Sequence, residues 1–249
     1  MKTLIAVVGA ASVVASADAG FLGFVAFSRN VGANTVIDIF AGVANASDKF
    51  LNVYDLTSNG TFRQKAGLAT KTWKPDAAGF TSTRNTSDDS FMTAGTFSGD
   101  AYGGEYYAST NTNGDPNFTG TSWNATPASA AATTIPALAG WYTGDPTSVD
   151  NNAELLSAWI SITDASSFTR SNGTGAASAT YGIWVSHLVL AGNNKVIGTD
   201  FTFSAFASIK DGVTGATTQG GSSFVAIPAP GALALLGVAG VASRRRRQA

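Results

Sequence analysis

The chain has 249 residues, 44% hydrophobic and 10% aromatic, which is enough apolar material for a core and too much for wholesale disorder. Only 12% are charged and 28 are glycine, a balance that favours short strands and turns over helices. The absence of cysteine and the single histidine exclude disulfide scaffolds, cysteine-based zinc sites, cysteine nucleophiles and multi-histidine metal sites.

At the N-terminus, Lys2 gives a positive start and residues 4–14 form an apolar, small-residue run. Two small-x-small sites follow, Ala15-Ser16-Ala17 and Ala17-Asp18-Ala19. That order predicts a secretory signal over residues 1–19, against the competing reading of a buried first element. Period-two or apolar runs then predict strands at 21–27, 36–43, 50–56, 90–97, 155–163, 181–191 and 199–209. In the last of these, Phe201, Phe203, Ala205, Ala207 and Ile209 share one face, and Phe206 is the exception on the other. Asn59-Gly60 reads as a turn. Residues 102–152 are less regular and read as long loops with one or two strands. The expected fold is all-β: an antiparallel β-sandwich over residues 20–225, with jelly-roll and immunoglobulin-like topologies both open.

Few constellations in this body carry chemistry. His187 falls in the strand 183–189, by alternation on the face of Ile183, Val185 and Val189, and reads as structural. A serine-hydrolase reading would need a serine and an aspartate beside it, and no Gly-x-Ser-x-Gly elbow exists. A glycosidase would need two converging carboxylates; the two glutamates are Glu105, flanked by Tyr106 and Tyr107, and Glu154. The expectation is therefore no enzyme and no cofactor. Calcium is the one metal with a motive. Asn111, Asn113, Asp115 and Asn117 place oxygens at alternate positions of a loop, although only one is charged and an ordinary Asx-rich turn is the commoner meaning. Trp73, Trp123, Trp141 and Tyr142 are the candidate carbohydrate-stacking aromatics, whereas Trp159 and Trp184 lie in strand patterns and read as core.

The C-terminus is the most specific stretch. Pro228-Ala229-Pro230 stops any preceding strand, residues 231–242 carry no charge and predict a hydrophobic helix, and Arg244, Arg245, Arg246 and Arg247 follow. With residues 226–230 included, the apolar span is near the lower limit for a bilayer, and the arginines mark its cytoplasmic side. This order, Pro-x-Pro, short hydrophobic span and terminal Arg cluster, resembles the PEP-CTERM sorting signal of exosortase substrates, with alanine where the usual tripeptide has glutamate. The resemblance covers residues 227–249. It implies an exosortase-like processing enzyme as partner, a transient membrane anchor over 226–249, and delivery of the body to the cell surface or beyond. A plain tail anchor is the alternative. Three further patches, residues 50–54 with Trp73, residues 89–93 and residues 139–142, resemble a set of secreted proteins that carry the same kind of tail and no known activity.

Removing Lys2, Asp18 and Arg244 to Arg247 leaves 10 basic and 15 acidic residues, a net charge of about −5. A body so acidic argues against a nucleic-acid partner. The sequence thus points first to a non-enzymatic exported surface or matrix protein in a polysaccharide setting. A secreted carbohydrate-binding module comes second and a secreted hydrolase third.

Overall fold

The computed structural model describes residues 20–45, 47–67, 72–75, 86–93, 96–97, 107–108, 116–118, 129–131, 133–143, 169–179 and 181–224. In chain order the strands are β1 (Phe21–Val31), β2 (Asn34–Val43), β3 (Lys49–Thr57), β4 (Phe91–Met92), β5 (Thr96–Phe97) and β6 (Tyr107–Ala108). They continue with β7 (Pro116–Phe118), β8 (Ala139–Thr143), β9 (Thr169–Asn172), β10 (Tyr181–Ala191), β11 (Ser204–Lys210) and β12 (Thr217–Ser223). One sheet has the order β4-β10-β2-β1-β9 and the other β12-β11-β3-β8-β7, while β5 and β6 form a separate ribbon. Every pairing between these strands is antiparallel, so the expected all-β sandwich is the observed architecture.

The sandwich closes on a core shared by both sheets. Phe24, Ile37 and Ile39 from the first sheet meet Phe50, Val53 and Phe203 from the second segment set, all fully buried. Each such side chain contributes on the order of 1.5–3 kcal/mol by leaving water. Edge-to-face packing of Phe24 on Phe203, at 5.4 Å and 84°, ties β1 to the entry of β11. Along one side, backbone bonds stitch the sheets together: Phe24 N–H donates to Ser222 Oγ, and Thr174 N–H to the Ser223 carbonyl.

The two sheets differ in what lies outside them. β2 and β10 are buried along nearly their whole length, which is why they read as continuous apolar runs rather than alternating ones. A second apolar cluster of Val25, Phe27, Phe40, Phe91 and Trp184 covers the outer face of the first sheet, so Trp184 is buried as expected, but there. β3 instead alternates between buried and open positions, so the second sheet keeps one face toward water.

Several expectations are corrected. The strand predicted at 90–97 is two pieces, β4 in the first sheet and β5 in the ribbon. The strand predicted at 199–209 starts only at Ser204, though Phe201 and Phe203 still point inward. At the turn read at Asn59-Gly60, β3 has ended and the chain leaves the second sheet. Asn59 Oδ1 accepts from Thr202 N–H, and the chain then crosses to the first sheet, where Arg63 N–H donates to the Val189 carbonyl. β9 and β12 escaped the sequence reading because their residues, Thr-Arg-Ser-Asn and Thr-Thr-Gln-Gly-Gly-Ser-Ser, carry no apolar signal. The signal (1–19), the predicted strand 155–163 and the tail (226–249) lie outside the described residues, and no helix among the described residues is long and apolar enough to cross a membrane.

Candidate functional site

Among the described residues, the candidate side chains fall in three places. The first is the buried face of β10. A bulge there sets Trp184 opposite Phe40 but Ser186 opposite Ile39, leaving Val185 as the extra residue. The bulge breaks simple alternation. His187 therefore lies not with Ile183 and Val185 but on the outer face with Trp184, opposite Asp38. Its Nδ1 is 2.7 Å from Asp38 Oδ1, and its Nε2 is 2.8 Å from the Thr86 carbonyl. Both ring nitrogens are thus engaged, and the nitrogen that would serve a nucleophile is committed to backbone. Arg29 Nη1 donates to Asp38 Oδ2 at 2.6 Å, completing a buried Arg29–Asp38–His187 chain. Phe91 stacks on the imidazole at 4.7 Å and 14°, and Trp184 closes it edge-on. Asp89, beside this chain, is 2% exposed, and burial lifts its carboxyl to about 7 against the pull of the Lys65 N–H and the His187 charge. The arrangement is a closed structural clasp holding residues 86–91 on the sheet.

The second place is the core. Trp73 and Trp141 are fully buried and offer no ring face to a sugar, which corrects their placement among the stacking aromatics. Trp73 packs edge-on to Phe62 at 6.0 Å. Trp141 Nε1–H donates to the Thr93 carbonyl at 3.0 Å. An isolated tryptophan between turn residues looks the same in sequence whether it faces water or the interior, and here the interior wins.

The third place is the open face of the second sheet. Three consecutive rows can be read from its register. Phe206 lies opposite Gly221 on one side and Tyr54 on the other. In the next row Gln219, Ser208, Asn52, Tyr142 and Asn117 follow one another across β12, β11, β3, β8 and β7. Beyond that, Thr217, Lys210 and Lys49 are aligned. Alternation with the buried Val53, Ala207 and Ile209 puts the β12, β11 and β3 residues of these rows, and Tyr142, on the outer face, where Ser208 is nonetheless covered. Phe206 and Tyr54 stack at 5.4 Å and 24°, and Phe206 and Tyr142 are each 45% exposed. Gly221 is what lets Phe206 lie flat, because a Cβ there would stand 2.9 Å from its ring. Asp55, with φ of 52°, forms the bulge that turns β3 after Tyr54. Among the polar atoms of the face, Ser208 Oγ and Asn52 Oδ1 are buried without a hydrogen-bond partner.

Of the sequence-predicted stacking residues that are described, Tyr142 alone lies on this face. Tyr54 and Phe206 join it there, and the break that Phe206 makes in the apolar alternation of its strand is the one trace of this pair in the sequence. Asn117 is the central residue of β7 rather than part of a loop, so strand backbone interrupts the alternating oxygens proposed for calcium. Asn111, Asn113, Asp115, Trp123, Glu105, Glu154 and the sorting residues Pro228, Ala229, Pro230 and Arg244 to Arg247 lie outside the described residues. Among the described residues no group of three metal-binding side chains converges. In comparison with known proteins, no family model, no curated protein and no solved structure matches the chain.

Proposed function

We propose that this chain is a non-enzymatic exported protein of the cell surface or extracellular matrix whose sandwich adheres to polysaccharide through the open face of its second sheet. The observation that carries the reading is a patch of aromatic rings on neighbouring strands of one face. The stacked Tyr54–Phe206 pair, with Tyr142 exposed in the next row, makes a half-open apolar surface beside the polar side chains of Asn52 and Gln219. Flat rings match the apolar faces of pyranose units, and amides and hydroxyls match their hydroxyl groups. Among the described residues, the outer side of the first sheet is instead covered by a buried apolar cluster.

Export rests on the ends of the sequence. Residues 1–19 direct secretion, residues 226–249 hold the chain transiently in the membrane, and an exosortase-like enzyme cuts near Pro228-Ala229-Pro230. Intact mass and terminal peptide mapping of the native protein test this half of the proposal: loss of everything after about Pro230 supports it, and an Arg tail retained in membranes refutes it.

The adhesive half is tested with Phe206→Leu, which keeps apolar volume and removes the flat ring. A phenylalanine presents about 200 Å², so its 45% exposure leaves roughly 90 Å², worth about 2 kcal/mol if a ligand covered all of it. Leucine keeps part of that contact and loses the stacking geometry, about 0.5–1.5 kcal/mol, so retention in polysaccharide affinity gels should weaken roughly 2- to 10-fold. Retention equal to wild type would refute the platform.

A further inference from the structure

Asn59-Gly60, just past the end of β3, plays no part in the platform. Asn59 is exposed, and its side-chain oxygen is held by two donors from one residue, the Thr202 N–H at 2.7 Å and the Thr202 hydroxyl at 3.1 Å. The Asn59 N–H returns the contact to Thr202 Oγ1 at 3.2 Å. The Gly60 N–H belongs to no strand ladder; among the described residues it donates to Ser58 Oγ alone, at 3.2 Å. Before a glycine, the next backbone nitrogen reaches an asparagine carbonyl most easily, because no Cβ stands in the way. The same dipeptide occurs at Asn172-Gly173 in a different setting. There the Gly173 N–H is committed to the Phe24 carbonyl at 2.8 Å, and the side-chain oxygen of Asn172 accepts from Arg170 Nε. A third, Asn113-Gly114, lies outside the described residues.

We propose that Asn59-Gly60 is a self-modification site, where the chain converts its own asparagine to aspartate and isoaspartate with water as the only co-reactant. The Gly60 nitrogen attacks Asn59 Cγ and gives up its proton to solvent past Ser58 Oγ. The Cγ–Nδ2 bond breaks, and that nitrogen, which has no hydrogen-bond partner among the described residues, takes a proton and leaves as ammonia. Water then opens the succinimide ring at either carbonyl. One opening gives aspartate; the other gives isoaspartate, with the main chain running through the former side chain. Negative charge gathers on Asn59 Oδ1 in the first step, and the two Thr202 donors already meet that atom, as donors of an oxyanion hole do. At Asn172 the attacking nitrogen must first break its bond to Phe24. The product bears on the fold. Asn59 and Thr202 tie the exit of β3 to the chain just before β11, the two strands that carry Tyr54 and Phe206. Isoaspartate lengthens the main chain inside that tie and loosens it, whereas aspartate keeps an acceptor for the Thr202 N–H. The reaction needs no ligand, so it stands independently of the platform.

The test is peptide mapping by mass spectrometry of the whole protein aged at about pH 6 and about pH 8.5. The peptide holding residues 59–60 should gain the mass difference between an amide and an acid and split into two isomers. Conversion should be faster at the higher pH, because the attacking nitrogen must lose its proton. It should run at least about tenfold faster than in the peptide holding residues 172–173, the ratio expected when one more hydrogen bond must open. Thr202→Val keeps the N–H and removes the hydroxyl donor, and should slow conversion about 3- to 10-fold at a nearly unchanged melting temperature. Asn59→Gln, whose longer side chain disfavours the five-membered ring, should abolish it. An unmodified 59–60 peptide, or one converting no faster than 172–173, overturns the site, and this comparison needs only the wild-type protein. Acceleration by Thr202→Val overturns the part given to Thr202, because its donors would then restrain the carbonyl instead of activating it.

Discussion

The buried carboxyl of Asp89 should give this protein an inverted pH profile. Its side chain is 2% exposed, and its Oδ1 accepts only the Lys65 N–H among the described residues, at 3.0 Å. Burial outweighs that bond and the attraction of His187, and the carboxyl titrates at about 7 instead of 3.8. Between those values the folded chain binds a proton that the unfolded chain has released, so stability falls as pH rises. A displacement of about three pH units corresponds to roughly 4 kcal/mol, fully lost above about pH 7 and recovered below about pH 4. A structural carboxylate in an ordinary ion pair has the opposite slope. Asp89→Asn keeps an acceptor for the Lys65 N–H and removes the titration. Urea unfolding at half-unit steps between pH 4 and 8 measures the effect. The wild-type minus variant difference should change by several kcal/mol, in favour of the variant at the alkaline end. A flat difference across that range, or one of opposite sign, would refute the assignment of burial as the dominant cause.

Three further substitutions probe the scaffold. Asp38→Asn leaves Arg29 and His187 buried without their shared carboxylate, and the urea midpoint should fall by an equivalent of about 3–5 kcal/mol; an unchanged midpoint would mean the chain is solvated. Trp141→Phe preserves most of the packing but removes the indole N–H bond to the Thr93 carbonyl, and a loss of about 1 kcal/mol in thermal unfolding is expected, with polysaccharide binding unaffected because the ring is interior. Gly23→Ala places a Cβ 2.5 Å from the Thr174 carbonyl at a backbone φ of 114°. It should cost more than about 1 kcal/mol and loosen the seam between the sheets, seen as faster amide exchange at Gly173 and Thr174.

The amino-acid sequence by itself determined the class of fold. Runs such as 36–43 and 181–191, β-branched and aromatic with no helical period, have no stable arrangement except as strands, and both appear where expected. It also determined the inward face of 201–209, because alternation is a local property of an extended chain. Tertiary structure decided the rest. The bulge at Val185 is a matter of pairing with β2, and one extra residue was enough to move His187 from the expected face onto Asp38. β12 is a strand only because β11 lies beside it; Thr, Gln, Gly and Ser have no reason of their own to be extended.

The candidate site followed the same division. Tyr142 was recognisable, but Trp73 and Trp141 were placed on the wrong side of the boundary between interior and surface, which no single residue encodes. Whether a ring faces water depends on which sheet its strand joins and on whether anything covers that sheet. The first sheet is buried on both faces and the second on one. Tyr54 and Phe206 are far apart in sequence, and only the register of β3 against β11 brings them onto one surface.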